Sequence, residues 1–217
     1  MPARASKLFF RALTAPQAEV TLDNLVFWPE VSWHMEDILG TIAVNHHDLV
    51  WQFFRKRLAH EPQAGGPRYE AIPYDFHEPT APLSTNPERA VDIVRGWNDA
   101  DDPLFRFHGG RLLAIAFPTI PERLEAKLLS LVEGEAAFSF VVGIMENYKG
   151  EPFTHRICQS LIDAVPENDD RLGSVEVALL GTGVVSGEFG MVEAYQAKKD
   201  AIALWLNDPR PKVRTFA

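Results

Sequence analysis

Apolar residues recur every three or four positions along most of this chain, a spacing that predicts α-helices. The pattern is clearest over residues 99–118, where an acidic run ends at Asp102-Pro103 and Pro118 follows the amphipathic segment. Asp101 or Asp102 can accept hydrogen bonds from the first free backbone N–H groups, and Pro103 fits the first helical turn because no donor is needed there. We therefore predict a helix that begins at Pro103 and ends just before Pro118.

The same periodicity, together with prolines and capping residues, predicts an all-α chain. The predicted helices span residues 5–13, 33–44, 48–60, 86–97, 103–117, 121–132, 135–147, 152–165, 169–180 and 188–206. Residues 14–29 are less regular and are expected to form an irregular cap. Short apolar runs at 175–180 and 184–185 also fit a strand, but no segment alternates over the length of one.

A turn at Asn45 is expected to fold the second and third predicted helices into a hairpin. Asp48 is placed to cap the third helix. Arg55, Lys56 and Arg57 are expected to face water, because charged side chains are rarely buried without a partner.

The distribution of helices and prolines predicts an N-terminal helical hairpin or cap over 1–60, a Pro/Gly-rich loop over 61–84 and a helical repeat array over 85–217. The loop contains Tyr69, Tyr74 and Phe76. Free linkers are usually poorer in aromatic residues, so we expect this loop to be partly pinned to the helical surface.

Within the predicted array, the first helices of successive pairs begin near Pro87, Pro121, Pro152 and Glu188, at intervals of 34, 31 and 36 residues. A period in this range is typical of stacked two-helix units. One such hairpin cannot bury its apolar face alone, so neighbouring hairpins must stack. The expected fold class is an α-solenoid of stacked antiparallel helix hairpins.

Composition narrows the classes of function. Hydrophobic residues make up 46% of the chain, enough for a continuous core. Residues 61–217 carry 15 Lys and Arg against 24 Asp and Glu, and such an acidic body argues against binding to nucleic acid or to an anionic membrane. No apolar stretch approaches the roughly 20 residues that cross a bilayer, and the N-terminus lacks the apolar core of a secretory signal. We expect a cytoplasmic protein.

Histidines and carboxylates gather in one N-terminal stretch, at His34, Glu36, His46, His47 and Asp48. They could converge on a metal ion if they lie on facing arms of a hairpin. The stretch has no H-E-x-x-H motif and no cysteine partner, so polar residues at a helix junction are the favoured interpretation. A metal-dependent or small-ligand-binding enzyme that uses the His34–Asp48 cluster is the alternative.

A glycine-rich loop covers residues 181–190 and resembles a dinucleotide-binding fingerprint with one residue too many. No βαβ unit frames it, and no Lys-Ser/Thr pair follows as in a P-loop. A helix C-cap and hinge is the favoured interpretation, with Gly181 or Gly183 in the left-handed conformation.

Cys158 is the only cysteine, so no intrachain disulfide can form, and a reducing compartment fits best. It lies on an apolar helical face, three residues after His155 and five before Asp163. Catalytic Cys–His pairs usually come from separate elements. We expect a buried and inert thiol.

The tryptophans are expected to pack in the core or between hairpins: Trp28, Trp33, Trp51, Trp97 and Trp205. An exposed tryptophan among them could anchor a partner, because tryptophan is enriched at binding hot spots.

Acidic residues cluster in the turns before two predicted helices, at Asp99, Asp101 and Asp102 and at Glu167, Asp169 and Asp170. A favourable interaction with the helix dipole explains them without catalysis. The same acidic turns could form a charged edge that favours a basic partner.

Two phrases resemble HEAT-type repeats, in which an Asp-Pro turn leads into a helix with a Val-Arg-x-x-Ala-like core. They read D-D-P-L-F-R-F-H-G-G-R-L-L-A and N-D-P-R-P-K-V-R-T-F-A. In the second phrase, Asp208-Pro209 is followed by Val213, Arg214 and Ala217 in the positions of that pattern. The first matches through Asp102-Pro103 and Arg106, with Phe105 where valine is usual. The resemblance implies an α-solenoid scaffold that binds other proteins, without shared catalytic residues.

Residues 181–217 are also similar to helical-repeat regions at the C-termini of large bacterial multidomain proteins, including defence-type ATPases. The helix starting at Val213 would stop after about one turn, so we expect a fragment of a longer protein or an uncapped edge. The leading hypothesis is a non-enzymatic protein-interaction scaffold, or a sensor or regulatory region of a larger bacterial protein. No catalytic, cofactor-binding or metal-binding residue is assigned. A self-associating structural module, joined through the C-terminal edge, is a further alternative.

Overall fold

The structure is a computed structural model that describes residues 2–61, 69–73, 80–98, 103–132, 137–182, 186–187 and 189–217, without the side chains of residues 2–6, 80, 98 and 103–104. Every regular element in these residues is a helix, which confirms the all-α prediction for this part of the chain. No helix in the described part is both long and apolar enough to span a bilayer. The chain divides into two compact units, Met1–Phe117 and Pro118–Ala217.

The first unit contains α1 (Pro2–Arg11), α2 (Ala15–Leu25), α3 (Trp33–His60), α4 (Thr80–Leu83), α5 (Pro87–Asn98) and α6 (Pro103–Ala116). Helix α3 is its centre and contacts all five others. Trp51 on α3 and Trp97 on α5 are buried with their rings 6.4 Å apart. The segment boundaries predicted at residues 60 and 84 both fall inside this unit.

Residues 14–29, expected to be irregular, contain the regular helix α2. The side chain of Gln17 accepts a hydrogen bond from the backbone N–H of Thr14 at 2.9 Å, which fixes the first turn. The weak apolar periodicity hid this helix, because it buries only Ala18, Leu22 and Leu25.

The predicted hairpin around Asn45 is wrong, because α3 continues from Trp33 to His60 with a kink at His46. His46 alone leaves helical backbone values, at φ −136° and ψ 46°. A helix hairpin needs a loop of about two to five residues, and α3 has none. Asp48 therefore lies inside the helix and cannot cap it. Its carboxylate pairs instead with Arg89 of α5 at 2.8 Å.

Arg57 was expected to face water, and that expectation is also wrong: its exposed fraction is 0%. Arg57 lies on the same helical face as the buried residues Val50 and Phe53. Its guanidinium carbon lies 4.6 Å from the centre of the Tyr69 ring. The guanidinium donates hydrogen bonds to six backbone carbonyls, those of Leu25, Val26, Trp28, Pro29, Glu70 and Ala71. A buried charge is tolerated here because its donors are satisfied.

These contacts pin part of the Pro/Gly-rich loop, as predicted for its aromatic residues. Tyr69 donates its hydroxyl to the carbonyl of Val26, and the N–H of Glu70 donates to the carbonyl of Pro29 at 2.8 Å. The prediction is confirmed for residues 69–73, whereas Tyr74 and Phe76 lie outside the described residues.

The second unit contains α7 (Glu122–Val132), α8 (Phe138–Asn147), α9 (His155–Ala164), α10 (Arg171–Leu180), α11 (Gly190–Ala203) and α12 (Pro211–Phe216). Short 3-10 turns occupy Pro152–Thr154 and Leu204–Asn207. Helix α8, within the predicted helix 135–147, buries six apolar residues: Phe138, Phe140, Val141, Val142, Ile144 and Met145. The predicted final helix 188–206 is divided between α11 and the second 3-10 turn, and α12 begins two residues after Pro209.

Candidate functional site

A groove of about 1180 Å³ lies in the second unit, along one face of α7 and one face of α9. Glu122, Glu125, Ala126 and Leu129 line it from α7, spaced three and four apart as a single helix face requires. The face of α9 contributes Arg156, Ser160, Asp163 and Ala164, and the lining also includes Phe138, Arg171 and Arg210. We call this the α7–α9 groove.

An ion pair joins the two helices that form the groove. Arg156 Nη1 lies 3.0 Å from Glu125 Oε2. Both residues are near the N-terminal ends of their helices, and α7 and α9 are in direct contact. Beyond the other ends, the ring centre of Phe138, six residues after α7, lies 5.3 Å from the guanidinium carbon of Arg171, seven residues after α9. The helices therefore run side by side in the same direction.

A tight turn holds Arg171 at the start of α10. Asp169 Oδ1 accepts hydrogen bonds from the backbone N–H and from Nε of Arg171, both at 2.9 Å, and Asp169 Oδ2 accepts from Nη2 at 2.7 Å. The Arg171 guanidinium also lies 5.3 Å from the centre of the Phe138 ring. A bidentate pair with a stacking contact fixes the guanidinium plane at the groove.

The same arrangement recurs 39 residues later, at Asp208 and Arg210. Asp208 Oδ1 accepts from the backbone N–H of Arg210 at 2.9 Å and from its Nε at 2.8 Å, and Oδ2 accepts from Nη2 at 2.8 Å. Gln159 of α9 donates to the same carboxylate at 3.2 Å. Asp208 thus joins the start of α12 to α9.

Lys212 and Arg214 of α12 donate further hydrogen bonds that hold this helix in place. Lys212 Nζ donates to the carbonyls of Asp163 and Val165, at 2.9 and 2.7 Å, where the last carbonyls of α9 need partners. Arg214 Nη1 donates to the carbonyls of Asp208 and Pro209, at 2.6 and 3.0 Å.

The arginines lower the pKa of both aspartates. Hydrogen bonds from the Arg171 side chain lower the pKa of Asp169 to about 2. Hydrogen bonds from the Arg210 side chain lower the pKa of Asp208 to about 2 as well. Both carboxylates are therefore ionised throughout the neutral range.

Sequence reasoning missed Arg171 and Arg210, although the signal was present. The tetrapeptides Asn168–Arg171 and Asn207–Arg210 share the pattern N-D-x-R. Asp169 lies just before a helix, as predicted. Its carboxylate accepts hydrogen bonds from the guanidinium of Arg171 as well as from the backbone N–H of that residue. Asp99, Asp101 and Asp102 lie outside the described residues.

The histidine cluster of the first unit does not converge. The His34 ring stacks on Trp33 with centroids 3.4 Å apart, and His46 Nε2 lies 2.8 Å from the carbonyl oxygen of Leu13. His47 Nε2 lies 2.9 Å from Asp48 Oδ1. Among the described residues, no group of three or more His, Cys, Asp or Glu side chains is arranged to hold a metal ion.

Cys158 is buried, as predicted, with 1% of its surface exposed. Burial raises the pKa of its thiol to about 12, so the thiolate that would act as a nucleophile is scarce at neutral pH.

The glycine-rich loop only partly follows its prediction. Gly181 is the C-cap of α10, and its φ of −50° shows that it is not the left-handed glycine of the two that were named. Gly187 has φ 104°. Gly183 lies outside the described residues.

Packing is confirmed for three of the tryptophans, since Trp51, Trp97 and Trp205 are buried. Trp28 and Trp33 are 54% and 68% exposed and are not core residues. They follow the end of α2 and begin α3, where the chain turns at the surface of the first unit.

Comparisons of this chain with protein-family models, with curated proteins and with solved structures found no match.

Proposed function

We propose that this chain is a non-enzymatic protein-interaction module, built as a HEAT-like helical-repeat scaffold or sensor region of a larger, cytoplasmic bacterial protein. The α7–α9 groove is the observation that carries the proposal. Its volume of about 1180 Å³ exceeds the range of about 300–1,000 Å³ that is usual for small-molecule pockets, and it is open along two helix faces. An open groove of this size suits a peptide segment.

The two Asp-x-Arg turns support the repeat part of the proposal. They carry the same hydrogen bonds, stand 39 residues apart and each precede a helix. Recurrence of one local structure at a period near 40 residues is typical of stacked helical repeats.

Selection from a random peptide display library against the purified chain tests the proposal. Enriched peptides should bind wild-type protein and lose most of their binding to Ala126→Trp, because Ala126 is exposed on the groove face of α7. The matched control is Ala203→Trp, at an exposed alanine of α11 outside the groove.

Loss of binding with Ala126→Trp and retention with Ala203→Trp would support a peptide-binding groove. No enrichment, or enriched peptides that bind both variants equally, would overturn the proposed function.

Self-association is a second candidate, favoured by the surface of α11. None of the side chains of this helix is buried, and Val192 is 67% exposed. Leu204 and Leu206, in the 3-10 turn that follows, are 76% and 56% exposed. Sedimentation at increasing concentration should show a rising mass that Val192→Ser with Leu204→Ser abolishes; a constant monomer mass would exclude this candidate.

A further inference from the structure

We infer that the α7–α9 groove binds an extended basic segment of a partner protein, with two lysine or arginine side chains that pair with Glu122 and Asp163. This inference rests on the proposed function and specifies the chemistry of the partner. It follows from which charges of the groove are already paired within the chain.

Every arginine that lines the groove has a carboxylate partner in the chain. Arg156 pairs with Glu125 at 3.0 Å, Arg171 with Asp169 at 2.7 Å and Arg210 with Asp208 at 2.8 Å. Each positive charge is thereby neutralised and its guanidinium held in place. The arginines shape the groove walls, but they leave little uncompensated positive charge to attract an acidic ligand.

Among the described residues of the lining, two carboxylates form no such ion pair. Glu122 is exposed at the first position of α7 and forms no ion pair with any residue that the structure describes. Asp163 is exposed near the end of α9; it helps to raise the pKa of Arg210, but the ion pair of Arg210 is made with Asp208. Lys212 Nζ lies beside Asp163 but is held by the backbone carbonyls of Asp163 and Val165, so the ion pairs at the groove leave two carboxylates over and no arginine.

The surrounding unit has the same sign. Residues 118–217 contain 15 Asp and Glu against 10 Lys and Arg. A negative field around a groove raises the local concentration of a basic partner and speeds its association.

The spacing of the two carboxylates fits an extended peptide. Counted along the helices from the ion pair between Glu125 and Arg156, Glu122 is one turn before and Asp163 two turns beyond, an offset of about 15 Å. With about 8–10 Å between packed helix axes, the two carboxylates are about 18 Å apart. In an extended chain, residues i and i+4 point to the same side and lie about 13 Å apart. Lysine side chains are long enough to span the difference.

Fluorescence anisotropy with three labelled Ser/Thr-rich peptides tests the inference. One carries two lysines four residues apart, the second carries glutamates and the third glutamines at those positions. The lysine peptide should bind most tightly and weaken as salt is raised. Glu122→Gln and Asp163→Asn should each weaken it by about twofold to fivefold, the usual worth of an exposed ion pair.

The control variant is Glu176→Gln with Glu193→Gln, which removes two exposed charges of the same unit outside the groove. The inference is supported if the groove variants weaken binding and the control variant leaves it unchanged. An equal loss with the control would reveal diffuse attraction and overturn it. Preference for the glutamate or glutamine peptide would also overturn it, while display-selected peptides that still fail to bind Ala126→Trp would leave the proposed function standing.

Discussion

Arg57 holds three parts of the first unit together through one guanidinium. Its donors reach the end of α2, the residues before α3 and the loop segment 69–73. Burial lowers the pKa of Arg57, yet a guanidinium stays charged at every pH at which proteins fold. The carbonyls of Leu25, Val26 and Pro29 also accept from the N–H of Trp28, the hydroxyl of Tyr69 and the N–H of Glu70. For the carbonyls of Trp28, Glu70 and Ala71, Arg57 is the donor that the described residues show.

Replacement of Arg57 by Met should lower the free energy of unfolding by about 3 kcal/mol, because the carbonyls of Trp28, Glu70 and Ala71 lose the donor that Arg57 supplies. Arg57→Lys should also destabilise, since one ammonium group cannot reproduce the planar fork. Urea denaturation followed by circular dichroism measures both. Arg55→Met, at an exposed neighbour on the same helix, should stay within about 0.5 kcal/mol of wild type. Equal effects at both positions would contradict the role of Arg57.

The Asp208–Arg210 pair should make stability depend on pH in the acid range. Because the pKa of Asp208 is about 2 in the folded chain and about 3.9 in an unfolded one, the stabilisation is complete only above about pH 5 and is lost as pH falls through 4 towards 2. Asp208→Asn should therefore lower the melting temperature at pH 6, and its difference from wild type should shrink between pH 4 and pH 2. A difference that stays constant down to pH 2 would exclude the pair as its cause.

At the scale of elements, helices α5 and α6 approach closely at a glycine. A Cβ added at Gly109 would lie 2.7 Å from Val94 Cγ1 and 3.3 Å from Trp97 Cε3, and both of these side chains are buried. Gly109 thus lets α6 pack against α5. Gly96 differs, because an added Cβ there meets nothing within 4 Å.

Gly109→Ala should destabilise the first unit by about 1 kcal/mol net, since overpacking of about 1–3 kcal/mol outweighs the gain in helix propensity. Gly96→Ala should stabilise it by about 0.5–1 kcal/mol through propensity alone. The urea midpoints of the two variants give the comparison. If both alanines stabilise the protein, the close contact at Gly109 is absent.

At the scale of the molecule, each unit has its own core. Trp51, Phe54 and Leu112 are buried in the first, and Val141, Leu161 and Val175 are buried in the second. The boundary at Phe117 and Pro118 follows directly after α6.

Residues 1–117 and 118–217, expressed separately, should each be helical and unfold cooperatively, because a domain with its own core can fold alone. Circular dichroism and urea denaturation of the two fragments test this. A gradual, non-cooperative loss of helix in either fragment would show that its core is incomplete.

Many of the helices could be predicted from residues that are close together in the sequence. Helix α6 begins at Pro103 as expected, and Asn86 Oδ1 caps α5 by accepting from the N–H of Arg89 at 3.2 Å. Apolar spacing correctly placed the buried face of α8. These features depend on a few neighbouring residues, and the sequence contains those directly.

Contacts between residues far apart in the chain could not be predicted from the sequence pattern. Arg57 lies on the same helix face as Val50 and Phe53, so periodicity placed it inward, but its charge suggested the opposite. Only residues distant in sequence, from Leu25 to Ala71, supply the acceptors that make its burial possible. The candidate groove was equally hidden, because α7 and α9 are separated by a whole helix in the chain.

The sequence by itself determined the all-α class, most helix starts, the buried face of α8 and the acidic balance, since each follows from local spacing, capping chemistry or composition. The tertiary structure alone decided that α3 is one kinked helix, that Arg57 is buried and that the groove arginines are paired. Those outcomes depend on which backbone carbonyls and carboxylates meet across the fold, and local pattern does not specify such partners.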